Sequence, residues 1–412
     1  MGFQSGLSGL NTASKNLDVV GNNVANASVV GFKGSVTQFA DVFASSLGGG
    51  GASQIGIGSK VMNIAQTFNQ GNISPTNNPL DIAITGRGFF RLEDNGTVSY
   101  SRNGQFRLDS QGFVVNSDGL NLTGWGVDTM GNIVNAQPSP IQFDTSDIAP
   151  LATSDFTAGV NLDSRLAQPT VAPFDPTNTQ SFNFTTSGTT YDTLGNPHVF
   201  TLYFVRTATA GQWNVHGTVD GTATTNVNLG AGAGNPAVIN FNNVGSLTTA
   251  MPLNASLTVA TGAVTPLNFT LDFTGTTQYG SVSSVNALTQ DGYTSGRLTG
   301  FNISQDGIIV GRYSNGQSRT LGQVVLADFV NPQGLSPLGN NLWQETGDSG
   351  LALVGAPNSG TLGNLQSSAV EDSNVDLTAE LVNMITAQRN YQANAQTIKT
   401  MDAVLQTLVN LR

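Results

Sequence analysis

Residues 373–412 read SNVDLTAELVNMITAQRNYQANAQTIKTMDAVLQTLVNLR. Leu377, Leu381, Met384, Tyr391, Ala395, Ile398, Leu405 and Val409 recur on an alternating four-three step, with Gln388 and Asp402 at the two polar positions of the seam. No Pro or Gly interrupts the run. The spacing predicts one long amphipathic helix with a coiled-coil-like stripe. Ser373 or Asn374 is placed to cap its start, because a short side-chain oxygen accepts from a free N–H of the first turn. Asp376 and Glu380 fall near the positive end of the dipole, Lys399 and Arg412 toward the negative end. Such a helix cannot stand alone. Fixing each residue costs about 1–2 kcal/mol of backbone entropy, and one seam has to offset that by burial at about 1.5–3 kcal/mol per large apolar side chain.

The candidate partner lies at the other end of the chain. Phe3, Leu7, Leu10, Leu17 and Val24 keep the same step, with Ser14 and Gly21 between them. A single such helix would most simply pack on its own domain; two matched helices at opposite ends point to a helical pair or bundle. The first segment is not a signal peptide, since no basic stretch precedes it and no continuous apolar run follows. No run of about eighteen apolar residues suggests a membrane span. Lys15 and Asp18 cancel in the first segment; Asp376, Glu380 and Asp402 cancel Arg389, Lys399 and Arg412 in the second. Neutral ends on a chain of net charge −11 can pack against copies of themselves without repulsion.

At 412 residues the chain is long enough for two or three domains. Only 15 Lys and Arg face 26 Asp and Glu, which argues against nucleic-acid binding and against an anionic membrane surface. There is no Cys, hence no disulfide and no thiol chemistry. The 49 Gly, with abundant Asn, Ser and Thr, predict many turns and short strands.

Gly31-Phe32-Lys33 follows the first helix, and the Gly-rich stretch 48–58 reads as an exposed loop. From residue 72 the texture is β. Strands are expected near 80–84, 98–101, 105–108, 113–116 and 120–125, with Asn95-Gly96, Asn103-Gly104 and Asp118-Gly119 as hairpin turns. Residues 138–176, rich in Pro, Thr and Asp, lead into a second β region with strands near 182–184, 199–206, 212–219 and 267–273, interrupted by a low-complexity stretch, 222–243. The first texture returns at 300. The expected domains are therefore 1–27, a terminal helix; 28–71, a linker; 72–145 and 293–372, two halves of one β domain; 146–292, a β domain inserted between them; and 373–412, the long helix.

The residues of enzymatic chemistry are missing. His198 and His216 stand in strand-like context with no Cys and no acidic pair at ligand spacing, so core or surface roles are expected. There is no Gly-x-Ser-x-Gly elbow. Residues 51–60 fail as a phosphate loop, because Ile57 stands where the Lys is required. Asp109-Ser110-Gln111-Gly112 is too short for a calcium loop and reads as a turn. No catalytic residue, no metal and no cofactor is expected.

The motifs taken together resemble the axial proteins of the bacterial flagellum: rod, hook and hook-associated. The segment from Ser5-Gly6-Leu7 to Leu17-Asp18-Val19-Val20-Gly21-Asn22-Asn23-Val24-Ala25-Asn26, closed by Gly31-Phe32-Lys33, is similar to that family's N-terminal motif, with Val29 where the family often has Thr. Asn78-Pro79-Leu80-Asp81-Ile82-Ala83-Ile84 with Gly88-Phe89-Phe90 resembles its next block, and Phe329-Val330-Asn331-Pro332-Gln333-Gly334-Leu335 a later one. Ser373-Asn374-Val375-Asp376-Leu377 and Ala387-Gln388-Arg389-Asn390-Tyr391-Gln392-Ala393-Asn394 resemble the shared C-terminal motif. The inserted middle domain favours the hook branch; the alternative within the family is the distal rod protein.

The resemblance implies a mainly β chain whose terminal α-helices pair as an antiparallel coiled coil, with an outer β domain inserted in an inner one. It implies a structural subunit, not an enzyme, that self-assembles into a curved tube joining basal body to filament, with residues 28–71 bridging neighbouring copies. The expected assembly seam is Phe3, Leu7, Leu10, Leu17, Val24, Leu377, Leu381, Met384, Tyr391, Ile398, Leu405 and Val409. The implied partners are further copies of the chain, the distal rod protein, the hook cap, the hook–filament junction proteins and the flagellar export apparatus. The implied location is the hook, outside the cell, reached without a cleaved signal peptide. A secreted binding module or enzyme with helical ends for oligomerisation is the reading from another class. Lys15, Lys33, Arg389 and Lys399, near the ends, are expected to be open to trypsin in the free chain.

Overall fold

The structure, a computed structural model, describes residues 2–42, 56–128, 131–144, 146–221 and 226–410. The Gly-rich stretch expected as a loop lies outside the described residues up to 55. The chain is mainly β with a helix at each end: α1 is Gly2–Ala25 and α2 is Leu377–Asn410. It divides into two units, one made of residues 1–145, 300–312 and 318–412, the other of Ser146–Thr299 and Tyr313–Gln317.

In the first unit α2 runs 34 residues, about 51 Å at ~1.5 Å per residue. Its cap is Asp376, whose Oδ1 accepts from Thr378 N at 2.9 Å and Ala379 N at 3.2 Å. The expectation of Ser373 or Asn374 is corrected: both precede the helix, and Asn374 caps a different backbone, accepting from Gly34 N. Strand β1 (Ser35–Val42) and strand β2 (Gly58–Gln66) form an antiparallel hairpin beside α1. Ser5 Oγ donates to Ile57 O at 2.9 Å, and Thr12 Oγ1 lies 3.2 Å from Ser59 Oγ.

The rest of this unit is a β body. Its main sheet runs Ile308–Tyr313, Ser318–Val324, Asn121–Trp125, Phe89–Asp94, Thr97–Ser101, Leu342–Gln344 and Ser336–Gly339 in spatial order. Ile82–Thr85 pairs with Asn364–Ser367, and Ile73–Pro75 with Ala369–Glu371, so early and late chain meet side by side. The core is Ile82, Ile84, Phe90, Leu92, Leu122, Phe143 and their neighbours, with a second cluster of Phe89, Tyr100, Phe329 and Trp343.

The second unit is a β-sandwich. A five-stranded sheet, Val227–Asn228, Leu253–Leu257, Leu267–Asp272, Asp155–Asn161 and Ser284–Gln290, faces a four-stranded one, Phe184–Tyr191, Pro197–Arg206, Gln212–Val219 and Ala237–Asn240. One core joins them: Phe156, Ala158 and Val160 from the first, Phe200, Phe204, Trp213 and Val215 from the second. Val227–Asn228, Ala237–Asn240, Leu253–Leu257, Asp155–Asn161 and Ser284–Gln290 lie outside the segments expected to be β, and Phe184–Tyr191 meets the expected strand near 182–184 only at Phe184. Phe184–Tyr191 is rich in Thr, Ser284–Gln290 is exposed along most of its length, and Asp155–Asn161 carries only Phe156, Ala158 and Val160 as apolar alternation, diluted by Gly159. Their pairing comes from neighbouring strands, not from a strong local pattern.

A recurrent turn closes several hairpins. Asp109, Asn116, Asp192 and Asn242 each accept, on Oδ1, the N–H groups two and four residues on. The third residue on is a glycine with φ between +78° and +86°, a region where a side chain is strained. Asn95-Gly96 turns the hairpin between Phe89–Asp94 and Thr97–Ser101. Asn103-Gly104 is not a hairpin turn. A Cβ on Gly104 would fall 1.7 Å from Ile82 O, so this glycine is there for the close approach of the strand Ile82–Thr85.

Candidate self-assembly surface

The two helices run antiparallel. Gly6 and Gly9 near the start of α1 face Ile398 and Asn394 late in α2, and Asn23 at the other end donates to Glu380 Oε1 at 3.3 Å. The contact is close because it is made by small residues: a Cβ on Gly9 would sit 2.6 Å from Asn394 Oδ1. The buried line of α1 is Gly6, Thr12, Ala13, Val19, Val20 and Asn23. On α2 the buried residue, among those described, is Ala387.

The residues expected to form the seam are placed mostly beside this contact. Leu10, Leu17 and Val24 of α1 and Met384 and Ile398 of α2 are half-buried. Phe3 and Leu7 are exposed, as are Leu377, Leu381, Tyr391 and Leu405, the last at 54%. The Val409 side chain lies outside the described residues. Val382, Ile385 and Val404 are also exposed and extend the apolar flank; their place beside the four-three row was the signal for them. The hairpin adds further exposed apolar side chains, Val36, Phe39, Met62 and Ile64, while Thr37 and Ala65 are buried. A single chain therefore leaves a 34-residue helix with Leu377, Leu381 and Leu405 exposed.

At the root of the helices lies a buried charge cluster. Lys33 is 1% exposed, Arg102 4% and Glu371 0%. Lys33 Nζ donates to Glu371 Oε1 at 2.6 Å and to Asn69 O at 2.9 Å. Arg102 donates to Glu371 Oε2 at 3.1 Å and to Gly86 O at 2.8 Å, and Gly71 N donates to Glu371 Oε1 at 2.9 Å. Burial holds both the Lys33 ammonium and the Arg102 guanidinium below their ordinary ranges, against the pull of Glu371. Lys33, expected to be open to trypsin, is thus enclosed. The sequence motif pointed to Lys33 but not to its partners, which lie 69 and 338 positions further along.

In the second unit both histidines have partners within the fold, and His198 has an acidic pair that its sequence neighbourhood did not suggest. Its Nδ1 lies 2.6 Å from Asp220 Oδ2 and its Nε2 3.3 Å from Asp192 Oδ2. Burial opposes the charge on this imidazole, yet the bonds to Asp220 and Asp192 outweigh it and the pKa is raised. His216 stacks on Phe174 at 4.1 Å, and burial lowers its pKa to about 4. Among the described residues no group of acidic residues and histidines is arranged to hold a metal, and no helix is long and apolar enough to cross a membrane.

Comparison with known proteins places these features together. Family models match in chain order: flagella basal body rod protein over residues 3–33, flagellar hook protein FlgE/F/G D1 domain over 83–191, flagellar basal body protein FlaE D2 domain over 161–293, and flagellar basal body rod FlgEFG protein C-terminal over 366–411. Terminal helices around two β regions with these matches define an axial protein of the flagellum. The chain is 43% identical over 416 residues to the flagellar hook protein FlgE of Escherichia coli, and 42% over 418 residues to that of Salmonella typhimurium, with 100% of each chain covered. It is 33% identical to the Borreliella burgdorferi flagellar hook protein FlgE, over 99% of this chain and 98% of that one. The chain belongs to the flagellar hook protein family. The crystal structure of Helicobacter pylori flagellar hook protein FlgE2 shares the fold, with a TM-score of 0.51 at 14% identity, covering 72% of this chain and 100% of that chain.

Proposed function

We propose that this chain is the structural subunit of the flagellar hook, polymerising with copies of itself into a curved tube that passes torque from the rod to the filament. The open apolar flank of α2, from Leu377 through Leu381 and Ile385 to Leu405, carries this reading. Leaving such a row in water forfeits roughly 1.5–3 kcal/mol per large side chain, and neighbouring subunits restore that burial. The near-neutral helices of an acidic chain suit this packing. The seam residues line the contact, residues 28–71 bridge copies, and the β regions face outward, the sandwich at 146–292 being an insertion between two halves of an inner domain. The chain leaves the cell through the flagellar export apparatus without a cleaved signal peptide. It meets the distal rod protein at one end of the tube, and the hook cap and then the junction proteins at the other. The distal rod reading is not favoured, because the hook relatives match from end to end, inserted region included.

Electron microscopy of the purified chain, concentrated at neutral pH, tests the reading. Tubes or rings of subunits are expected. A chain that stays monomeric at millimolar concentration would refute it.

A further inference from the structure

The chain passes between the helices and the β body of the first unit twice, at residues 31–35 and at 369–376. The two passages are tied to each other. Gly31 N donates to Glu371 O at 2.7 Å, Gly34 N donates to Asn374 Oδ1 at 2.8 Å, and Asn374 Nδ2 donates to Thr67 O at 2.7 Å. Asn23 in α1 holds Ser35 through both its N–H and its carbonyl, at 2.9 and 2.8 Å, while also reaching Glu380 of α2. The charge cluster sits at this crossing. Lys33 comes from the first passage, Glu371 from the second and Arg102 from the β body, and the Arg102 guanidinium lies 5.4 Å from the Phe89 ring centroid. Gly31 is left-handed at φ +72°, and a Cβ there would lie 2.6 Å from Asn103 N, so the first passage is pressed directly onto the residue after Arg102.

Two enclosed cations share one carboxylate, with the buried Asp328, itself near Arg87, the next negative charge felt by Arg102. Such a group is an inefficient source of stability, because apolar residues of similar volume commonly do as well. What it supplies is direction. A carboxylate taking three donors from three segments accepts one arrangement of those segments, whereas an apolar contact tolerates rotation.

We propose that Lys33, Arg102 and Glu371 are positioning residues for assembly, locking the root of the helix pair onto the β body so that every subunit presents its α2 flank in one orientation. This rests on the reading of the chain as a self-assembling subunit. It goes beyond that reading by making the joint rigid, so that the bending of the polymer is accommodated elsewhere than at this root.

The test compares the wild-type chain with Lys33→Met, Glu371→Gln and the triple apolar variant Lys33→Met/Arg102→Met/Glu371→Leu. Two quantities are measured: the thermal midpoint of the monomer by circular dichroism in the β region, and tube yield and spread of curvature by electron microscopy. Lys33→Met keeps the Arg102–Glu371 pair, and the expected result is a wild-type midpoint with tubes whose curvature spread is at least doubled. Glu371→Gln leaves two enclosed cations without a counter-charge, and at least a tenfold loss of tubes is expected. The triple variant should match the wild-type midpoint and still give polymorphic tubes. Wild-type yield and curvature in Lys33→Met and the triple variant would overturn the proposal. So would yields that fall only in step with the midpoints, since that is a purely stabilising role. Should the triple variant not fold, Lys33→Met decides. Absence of tubes from the wild-type chain would instead remove the assembling reading itself, and the proposal with it.

Discussion

His198 has a carboxylate at each ring nitrogen, so both nitrogens must carry a proton to donate. Asp192 is buried and already takes Thr261 Oγ1, Asn196 Nδ2 and two backbone N–H groups, and burial, which alone would raise its pKa, is outweighed so that it stays ionised. The raised imidazole fixes the sign of the pH effect. Its folded value lies above the ordinary 6.5, so its contribution is complete below 6.5 and is lost as pH rises through the folded value. The melting temperature of the second unit should therefore fall on the alkaline side of that titration. Asp220→Asn should flatten the dependence, and an unchanged pH profile in Asp220→Asn would disprove the assignment. Gly31 makes a second case. Its positive φ and its 2.6 Å approach to Asn103 N leave no room for a side chain, and Gly31→Ala should cost about 1–3 kcal/mol in urea unfolding of the first unit. Gly96 and Gly119 were legible as turn residues, since Asn-Gly and Asp-Gly are local signals. The reason for Gly104 was not, because the atom that excludes its Cβ is Ile82 O, brought there by the fold.

At the scale of elements, α2 was the most legible part of the chain, since 34 residues without Pro or Gly on a four-three step have one regular solution. What the period left open was which rows face α1. Glycines and alanines make the closest contact, and the leucines stand beside it, because backbones approach nearest where side chains are smallest. Leu381→Asp puts a charge on the open flank, so monomer stability should change by no more than about 0.5 kcal/mol. Tubes should be lost, and wild-type polymerisation by this variant would sink the flank as an assembly surface. Ala387→Leu acts differently: it overfills the one buried position described on α2 and should cost about 1–3 kcal/mol, read as earlier melting of the helical signal at 222 nm. In the β regions the legible strands were those with local alternation, such as Gln212–Val219. Asp155–Asn161 was missed although it sits inside the five-stranded sheet between Leu267–Asp272 and Ser284–Gln290, because its pairing partners lie more than a hundred residues away.

At the scale of the whole molecule, the second unit has its own core and a two-stranded root in which Ile148 pairs with Gly296 and Leu151 with Tyr293. Its ends are therefore adjacent. Replacing residues 153–291 with a short Gly/Ser turn should leave the first unit with its wild-type urea midpoint and still able to assemble; a chain that no longer folds would mean that the two units share their stability. The sequence by itself determined the class of this protein: helices at both ends, β between them, acidic and without Cys, with motifs resembling flagellar axial proteins. These features are written in local periodicity, composition and contiguous motifs, which need no knowledge of distant contacts. The tertiary structure alone decided how the ends are mounted. Lys33 looks like any exposed lysine after a helix until Glu371 and Arg102 close around it, and His198 looks solitary until Asp192 and Asp220 are folded to its two nitrogens. The physical reason is common to both. A buried charge is set by partners brought together across tens to hundreds of residues, and no pattern within a window of sequence records which of them will meet.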